Sequence, residues 1–338
     1  MTPSDARLAL RAMLRPAGGG LYVVSTGRAA QLAMQRQLYG VHAEAEIQAR
    51  FEAAIDQIPS ARAVVLGVPS DVGAGYRRGA NLGPQAIRAG LLAADRDLRG
   101  WYERQKIVDV GDIIVIPQLL HDEMLAPAQL AASRAALYPD LAPALAASLP
   151  VSPLSIEERV LGCIYALNPN IVPVVLGGDH SVAWPVSAAL AAHRRDRWSI
   201  VQPDAHTDLL ADRLGIKYCF ATWSYHANEL LGRDGRLVQV GVRASRHDRS
   251  HWEGQLGVRQ VWPDEIARDP EAAITAIIDH LRARDVGSVY FSNDIDGTDA
   301  AYAEATGTPE DGGLTPDFVV ALIERLGREI GLCAADCV

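Results

Sequence analysis

Short apolar runs rich in valine and isoleucine recur along the chain from about residue 63 onward. They are Ala63–Val68, Lys106–Val110, Ile171–Leu176, Trp198–Gln202, Leu237–Val242, Arg259–Trp262, Ser288–Phe291 and Leu332–Val338. Such runs, without strict alternation of apolar and polar residues, are typical of strands that are covered on both faces. Amphipathic helical patterns lie between them, and this alternation predicts a parallel sheet with helices on both sides.

The predicted fold class is therefore α/β, with a single three-layer domain and a parallel sheet of roughly eight strands over residues 61–338. The helical patterns that alternate with the strands are Pro84–Leu98, Ser155–Leu167, Trp184–His193, Pro270–Arg284 and Pro316–Ile330. Residues 112–153 are predicted to form a surface insertion with one helix near Pro127–Tyr138. Residues 1–60 form a predicted helical N-terminal extension, which either packs on the domain or makes an oligomer contact.

Composition excludes several classes of protein. The formal net charge is −9, whereas a general nucleic-acid binder needs a basic surface. No apolar run approaches the length of a membrane span. Four cysteines occur without a zinc-type CxxC pair, and so sparse a set indicates reduced thiols and a cytoplasmic protein.

Three clusters of polar side chains follow three of the predicted strands. Their sequences are GGDHS at 177–181, DAHTD at 204–208 and SNDID at 292–296. Functional groups of a parallel sheet collect at the carboxyl ends of its strands. Alternate residues of an extended segment share a face, so we expect Asp204, His206 and Asp208 to project one way, and Asp294 and Asp296 likewise.

With His180, the clusters supply four carboxylates and two imidazoles. That much negative charge converges only where cations balance it. Mixed carboxylate and imidazole ligands suit Mn²⁺ or a similar divalent ion, and the absence of cysteine from these clusters argues against structural zinc. Six such side chains suffice for the two-ion centre with which hydrolases activate water.

The same clusters, in the same order, resemble those of the ureohydrolase family, which includes arginase and agmatinase. The continuation SNDIDGTDAAYAEATGTPEDGGLT and the early segment Gly67–Arg88 also resemble this family. The resemblance covers roughly residues 62–338 and implies a hydrolase of C–N bonds in linear amidines. It further implies two Mn²⁺ ions, with Ni²⁺ as an alternative, and attack of a bridging hydroxide on a guanidinium carbon to release urea.

Carried over residue by residue, the resemblance assigns a role to each ligand. His180 and Asp208 would bind one ion, and His206 and Asp296 the other. Asp204 and Asp294 would bridge both ions, and Asp208 would also orient the hydroxide and help to move its proton. His226 occupies about the place of the family's substrate-loop histidine, and we expect it to protonate the departing amine.

The segment Leu209–Leu231 bears on the choice of substrate. It lacks the Asn- and Ser-rich pattern with which arginases hold the α-amino and α-carboxyl groups of arginine, so an agmatine-like guanidino compound is favoured. Its aromatic residues either pack on a cationic substrate or belong to the core; they are Tyr218, Phe220, Trp223 and Tyr225. Guanidinobutyrate, free guanidine, arginine and formimidoylglutamate remain alternatives.

The chain stops within the predicted strand Leu332–Val338. In the family, a glutamate that pairs with the substrate guanidinium follows this strand at once. We expect the native chain to continue past Val338 with that residue; the alternative is a different mode of substrate recognition. A non-catalytic, metal-binding member of the family is a second reading, and the resemblance further implies a homo-oligomer, either a trimer or a hexamer.

Overall fold

The structure, a computed structural model, describes residues 2–21, 25–72 and 76–338. Small parts of the predicted extension, at residues 1 and 22–24, and of the early family-like segment, at 73–75, lie outside the described residues. The chain divides into two compact units, one formed by Met1–Gly73 and Gly79–Ala189, the other by Ala74–Arg78 and Leu190–Val338. The predicted boundary between the N-terminal extension, residues 1–60, and the α/β domain, residues 61–338, stays a prediction.

The described residues of the first unit form a four-stranded sheet of order β1-β3-β2-β4. The strands are β1 (Leu14–Arg15), β2 (Ala63–Val68), β3 (Ile107–Ile113) and β4 (Val172–Gly177). The β2 strand runs parallel to β3 and β4, whereas β1 pairs antiparallel with β3. The predicted strands from Val- and Ile-rich runs are thus present, and the two-residue β1 was not predicted.

Helices account for most of the remaining first unit. They are α1 (Pro3–Met13), α2 (Arg28–Tyr39), α3 (Glu44–Gln57), α4 (Gly83–Ala94), α5 (Leu98–Gln105), α6 (Pro127–Leu137), α7 (Pro143–Ser148), α8 (Pro153–Leu167) and α9 (Ala183–His193), and the unit boundary falls within α9. Several begin with proline in the first turn, where the missing N–H costs nothing. The helical pattern in the N-terminal extension is interrupted at Gly40, whose φ of 63° ends α2.

A buried ion cluster fixes the first unit between α4 and β3. Arg88 is 1% exposed and donates to both oxygens of Asp109 and, at 2.5 Å, to Asp112. Asp112 also accepts from the backbone N–H of Gly18 at 2.8 Å. One cation therefore compensates two buried carboxylates, and the N-terminal segment takes part in that compensation.

The described residues of the second unit form a five-stranded sheet of order β9-β8-β5-β6-β7, in which all neighbouring strands are parallel. The strands are β5 (Trp198–Pro203), β6 (Leu237–Val240), β7 (Arg259–Val261), β8 (Ser288–Asn293) and β9 (Leu332–Cys337). Because β5 and β8 are adjacent and parallel, the loops that follow them leave the same edge of the sheet.

Five helices belong to the described second unit. They are α10 (Trp223–Leu231), α11 (Arg249–Leu256), α12 (Pro263–Arg268), α13 (Pro270–Arg282) and α14 (Pro316–Glu329). One face of the sheet, including Val201 and Val240, packs with Ile277 and Leu322 of α13 and α14 in a continuous buried core. Among residues 2–21, 25–72 and 76–338, no helix has the length and apolarity needed to cross a membrane.

Candidate metal centre

Asp204 follows β5 directly and is fully buried. Its Oδ2 accepts a hydrogen bond from Gln202 Nε2 at 2.7 Å, and its Oδ1 accepts from the backbone N–H of His206 at 2.6 Å. A carboxylate has about four lone-pair positions. Each oxygen of Asp204 therefore keeps acceptor capacity while both are held in place.

The chain after Asp204 bends rather than continuing as a strand. The expectation that Asp204, His206 and Asp208 share the face of an extended segment is wrong in its geometry. The bend lies at residues 205 and 206, and Asp208 adopts a left-handed φ of 50°. Aspartate is among the few non-glycine residues that tolerate this conformation.

The second loop starts after β8 and is also a turn. Asp294 donates its backbone N–H to the carbonyl of Pro203 at 3.0 Å. Its side chain accepts from the backbone N–H of Asp296 at 2.9 Å, at the start of a 3-10 helix over Ile295–Gly297. The predicted alternation of Asp294 and Asp296 along an extended strand is therefore replaced by a capped helical turn.

Asp296 links this loop to the loop after β5. It is 2% exposed. Its Oδ1 accepts from the backbone N–H of Ala205 at 3.1 Å, and its Oδ2 accepts from the Thr308 hydroxyl at 2.9 Å. The carboxylate is thus held from both sides, with Oδ2 facing His206.

The two loops bring carboxylates and an imidazole together. His206 Nδ1 lies 3.0 Å from Asp296 Oδ2 and 3.7 Å from Asp204 Oδ1. The ligand atoms that these three residues offer all lie within 4.8 Å of one another, and carboxylate oxygens of Asp204 and Asp294 also lie within 4.8 Å. The sequence predicted Asp204, His206, Asp294 and Asp296 as ligands. All four belong to the second unit.

The charges of this cluster favour extra protons. Burial disfavours the charged imidazole, but its hydrogen bonds with Asp204 and Asp296, together with their charges, raise the pKa of His206 to about 11. Burial first, and the charge of Asp204 next, raise the pKa of Asp296 above its usual range, against the effect of His206. Both shifts mean that buried negative charge here attracts positive charge, as a cation site does.

The donor atoms fit a hard or borderline divalent cation. Carboxylate oxygens and an imidazole nitrogen converge, and no sulfur ligand takes part. Convergence of buried carboxylates is costly without a compensating cation. The residues that the structure places here are therefore compatible with the manganese-type centre predicted from the sequence.

Close packing of the two loops depends on Gly297. A Cβ at this position would lie 2.6 Å from the backbone nitrogen of Asp204 and 2.9 Å from two further backbone atoms, the Asp204 Cα and the Pro203 carbonyl carbon. Backbone atoms cannot rotate away as a side chain can. Any residue larger than glycine would thus push the two loops apart.

Asp208 is buried, and its Oδ2 accepts a hydrogen bond from the indole N–H of Trp223 at 3.0 Å. Trp223 begins α10 and is fully buried. Of the two readings of the aromatic residues, core packing therefore applies to Trp223. Sequence reasoning missed its contact with Asp208, since no periodicity marks a tryptophan that orients a carboxylate.

His226 lies on α10, and its Nε2 is 3.0 Å from the carbonyl oxygen of Ala211. A carbonyl only accepts, so Nε2 carries a hydrogen in this contact. The ring also meets the edges of Tyr218 and Tyr225, at centroid distances of 5.1 and 5.3 Å. Burial, as the largest cause, lowers the pKa of His226 below its usual value.

His180 belongs to the first unit and is 3% exposed. It starts the 3-10 helix His180–Val182, which follows β4 after Gly178 and Asp179, and Asp179 caps that turn. The preceding Gly178 leaves no room for a side chain, because a Cβ would lie 1.7 Å from the carbonyl oxygen of Ser70. The sequence-predicted place of His180, at the carboxyl end of a strand, matches its place in this unit.

Comparisons with known proteins extend over most of the chain. The sequence model of the Arginase family matches residues 61–338. The chain is 32% identical over 269 residues to the mitochondrial agmatinase of Gallus gallus, covering 77% of this chain and 68% of that protein. It is 29% identical over 262 residues to the guanidinobutyrase of Pseudomonas aeruginosa, covering 75% and 70%.

Among solved structures, the proclavaminate amidino hydrolase from Streptomyces clavuligerus superposes with a TM-score of 0.62 at 28% identity, covering 82% of each chain. This similarity, with the largely parallel strands of both units, confirms the predicted α/β fold class. The family match confirms the prediction of a hydrolase that acts on C–N bonds of linear amidines, the reaction type of guanidino hydrolases. The chain belongs to the arginase family.

Proposed function

We propose that this chain hydrolyses a guanidino compound to urea and an amine at a centre of two Mn²⁺ ions, with agmatine as the first candidate substrate. The observation that carries the proposal is the convergence of Asp204, His206 and Asp296, whose ligand atoms lie within 4.8 Å of one another. The agmatinase of Gallus gallus, at 32% identity, supports the choice of substrate.

The residues that would hold the two ions are His180, Asp204, His206, Asp208, Asp294 and Asp296. When bound, the two cations supply Lewis acidity and make water acidic enough to deprotonate near neutral pH. Ni²⁺ accepts the same oxygen and nitrogen donors, so both metals belong in the test.

Asp208 is the proposed acceptor of the proton that the attacking water loses. Its carboxylate is buried, and the Trp223 indole N–H fixes one oxygen by a hydrogen bond of 3.0 Å. The left-handed φ of 50° turns the residue out of the line of the preceding chain. The hydrogen bond therefore holds Oδ2 of Asp208 and orients the carboxylate, and Oδ1 is the oxygen proposed to accept the proton.

His226 is the proposed donor of a proton to the departing amine. Its lowered pKa makes the protonated imidazole a stronger acid, which favours transfer to an amine nitrogen. The contact between Nε2 and the carbonyl of Ala211 orients the ring. This role predicts that the step assisted by His226 slows as the pH rises above the pKa of that histidine.

A guanidino acid is a second candidate substrate, and one observation favours it. Lys217 Nζ lies 4.5 Å above the ring of Tyr218, which in turn contacts His226, and its charge helps to lower the pKa of His226. We place the distal group of the substrate on the Tyr218 side of His226, where the charge of Lys217 attracts a carboxylate and repels the ammonium of agmatine. The 29% identical guanidinobutyrase supports this alternative.

Urea release from agmatine, arginine, 4-guanidinobutyrate and guanidine, each with Mn²⁺ and with Ni²⁺, tests the function. We expect urea from agmatine or 4-guanidinobutyrate. If the metal-loaded protein releases urea from none of these compounds, the proposal is wrong. The chain would then be a metal-binding, non-catalytic protein. The variant Lys217→Met separates the two candidates, because it should lower kcat/KM for 4-guanidinobutyrate about 2- to 5-fold and not for agmatine. Lys106→Met is the matched control.

We further propose a homo-oligomer, either a trimer or a hexamer, in the cytoplasm. Light scattering coupled to size-exclusion chromatography measures the oligomeric state, and a monomeric mass at micromolar concentration contradicts it.

A further inference from the structure

Three buried glutamines lie side by side on three neighbouring strands of the second unit. Gln202 on β5, Gln239 on β6 and Gln260 on β7 are each fully buried. They are in register, because Gln202 pairs with Gln239 and Gln239 pairs with Gln260. Burial of an amide costs free energy unless it is hydrogen-bonded. Three buried amides at the same level of a sheet are therefore expected to bond with one another or with neighbouring groups.

The three side chains form one directional chain of hydrogen bonds. Trp262 Nε1 donates to Gln260 at 3.0 Å, and Gln260 Nε2 donates to Gln239 at 2.9 Å. Gln239 Nε2 donates to Gln202 at 2.9 Å, and Gln202 Nε2 donates to Asp204 Oδ2 at 2.7 Å. The chain, which we call the glutamine array, therefore ends on a proposed metal ligand.

Both ends determine the orientation of every amide in the glutamine array. The indole N–H of Trp262 can only donate, and the ionised carboxylate of Asp204 can only accept. Each amide must then present its oxygen toward Trp262 and its nitrogen toward Asp204. Aligned hydrogen bonds of this kind polarise one another, so the whole array directs positive potential at the carboxylate.

Two further hydrogen bonds connect the array to the loop after β5 and to α10. Gln239 Nε2 also donates, at 2.5 Å, to the carbonyl of Thr207, between His206 and Asp208. The hydroxyl of Ser224, on α10, donates to Gln202 at 2.7 Å. The array thus holds the loop backbone as well as the Asp204 side chain, and it connects both to the helix that carries His226.

We propose that the glutamine array positions Asp204 and its loop for metal binding; this inference rests on the proposed function only in taking Asp204 as a ligand. The glutamines contact neither substrate nor reacting atoms, so they are positioning residues. The bond from Gln202 fixes Oδ2 and leaves acceptor capacity on each carboxylate oxygen. Loss of the array would let the carboxylate rotate and would leave a buried charge with one donor fewer.

The test is Mn²⁺ affinity of the full chain, measured by calorimetric titration. Gln202→Met keeps the length of the side chain and removes the donor to Asp204. Removal of a group that orients a metal ligand typically weakens metal affinity about 10- to 100-fold, and we expect a loss in that range. kcat should fall while KM changes little, and the electron paramagnetic resonance spectrum of bound Mn²⁺ should change.

Gln35→Met is the matched control. Gln35 is also a buried glutamine, 3% exposed, but it donates to the carbonyl of Ala17 in the first unit. We expect it to reduce thermal stability without changing Mn²⁺ affinity. If Gln202→Met does not fold, Ser224→Ala takes its place, since it removes one donor to Gln202 and should weaken Mn²⁺ binding about 2- to 10-fold.

The outcomes distinguish this inference from the proposed function. A folded Gln202→Met or Ser224→Ala that binds Mn²⁺ within twofold of the Gln35→Met control overturns the positioning role. Wild-type chain that binds Mn²⁺ but releases no urea overturns the proposed reaction alone. Wild-type chain that binds no Mn²⁺ overturns both.

Discussion

Replacement of Gly297 by alanine tests whether metal binding depends on the close packing of the two loops that follow β5 and β8. The added Cβ would lie 2.6 to 2.9 Å from three backbone atoms of Pro203 and Asp204. Ordinary carbon contacts are about 3.5 Å, so the loops must separate by about 0.6 to 0.9 Å. Overpacking of this kind costs about 1 to 3 kcal/mol in the free energy of unfolding.

The same displacement acts on the ligands. Functional side chains must stay within about 0.5 Å of their productive positions, and the bonds from Asp294 to Pro203 and from Ala205 to Asp296 cross the widened gap. We expect Gly297→Ala to weaken Mn²⁺ binding at least about 10-fold and to lower the melting temperature with and without Mn²⁺. Calorimetric titration and thermal unfolding measure the two effects.

Gly254→Ala supplies the control. Gly254 lies in α11, and a Cβ there would meet nothing within 4 Å. Alanine in a helix is favoured over glycine by about 0.5 to 1 kcal/mol, so this variant should be slightly more stable, with Mn²⁺ affinity unchanged. If Gly297→Ala binds Mn²⁺ like Gly254→Ala and melts no lower than the wild type, the close approach of the loops does not set the site.

Three further predictions concern proton transfer, metal affinity and stability. His226→Ala should lower kcat about 10²- to 10⁴-fold with Mn²⁺ content unchanged, and unchanged turnover removes the proton-donor role. Because hydrogen bonds with Asp204 and Asp296 raise the pKa of His206, a bound metal must displace its proton, and Mn²⁺ affinity should therefore rise with pH. Titrations in buffers of different ionisation enthalpy should show proton release on Mn²⁺ binding at pH 7 to 8. The absence of proton release would contradict a ligand role for His206. Arg88→Leu leaves two buried carboxylates uncompensated and should cost about 3 to 5 kcal/mol in chemical denaturation, whereas the exposed Arg104→Leu should cost less than about 1 kcal/mol.

The strands of the sheet could be predicted closely because their apolar runs are short and bounded by turns. Ala63–Val68 was predicted as observed, and Trp198–Gln202 was predicted one residue shorter than β5. Central parallel strands are buried on both faces and lack alternation, so their short length, flanking turn residues and β-branched composition together distinguish them from helices. The brief antiparallel β1 has only two residues, too few for any periodicity to be read.

Two features of the candidate centre could not be read from the sequence. The contact of Trp223 with Asp208 depends on where α10 returns to the sheet, which is a tertiary property. The glutamine array depends on the register of three strands, although its residues stand out in hindsight as polar exceptions within apolar runs. Polar residues in predicted buried strands are therefore a signal for hydrogen-bonded networks, because burial without partners is too costly.

The two-residue spacing of polar residues in the three clusters reflects turns rather than the alternation of side chains along a strand. In each of the three clusters an aspartate carboxylate accepts a hydrogen bond from the backbone N–H two residues later. The bonds run to Asp179 from Ser181, to Asp204 from His206, and to Asp294 from Asp296. Such turns, formed by aspartate with its own following backbone, need no strand geometry. The repeated interval of two residues therefore records a shared turn, in which the aspartate shapes the loop and the residues around it acquire their direction from that turn.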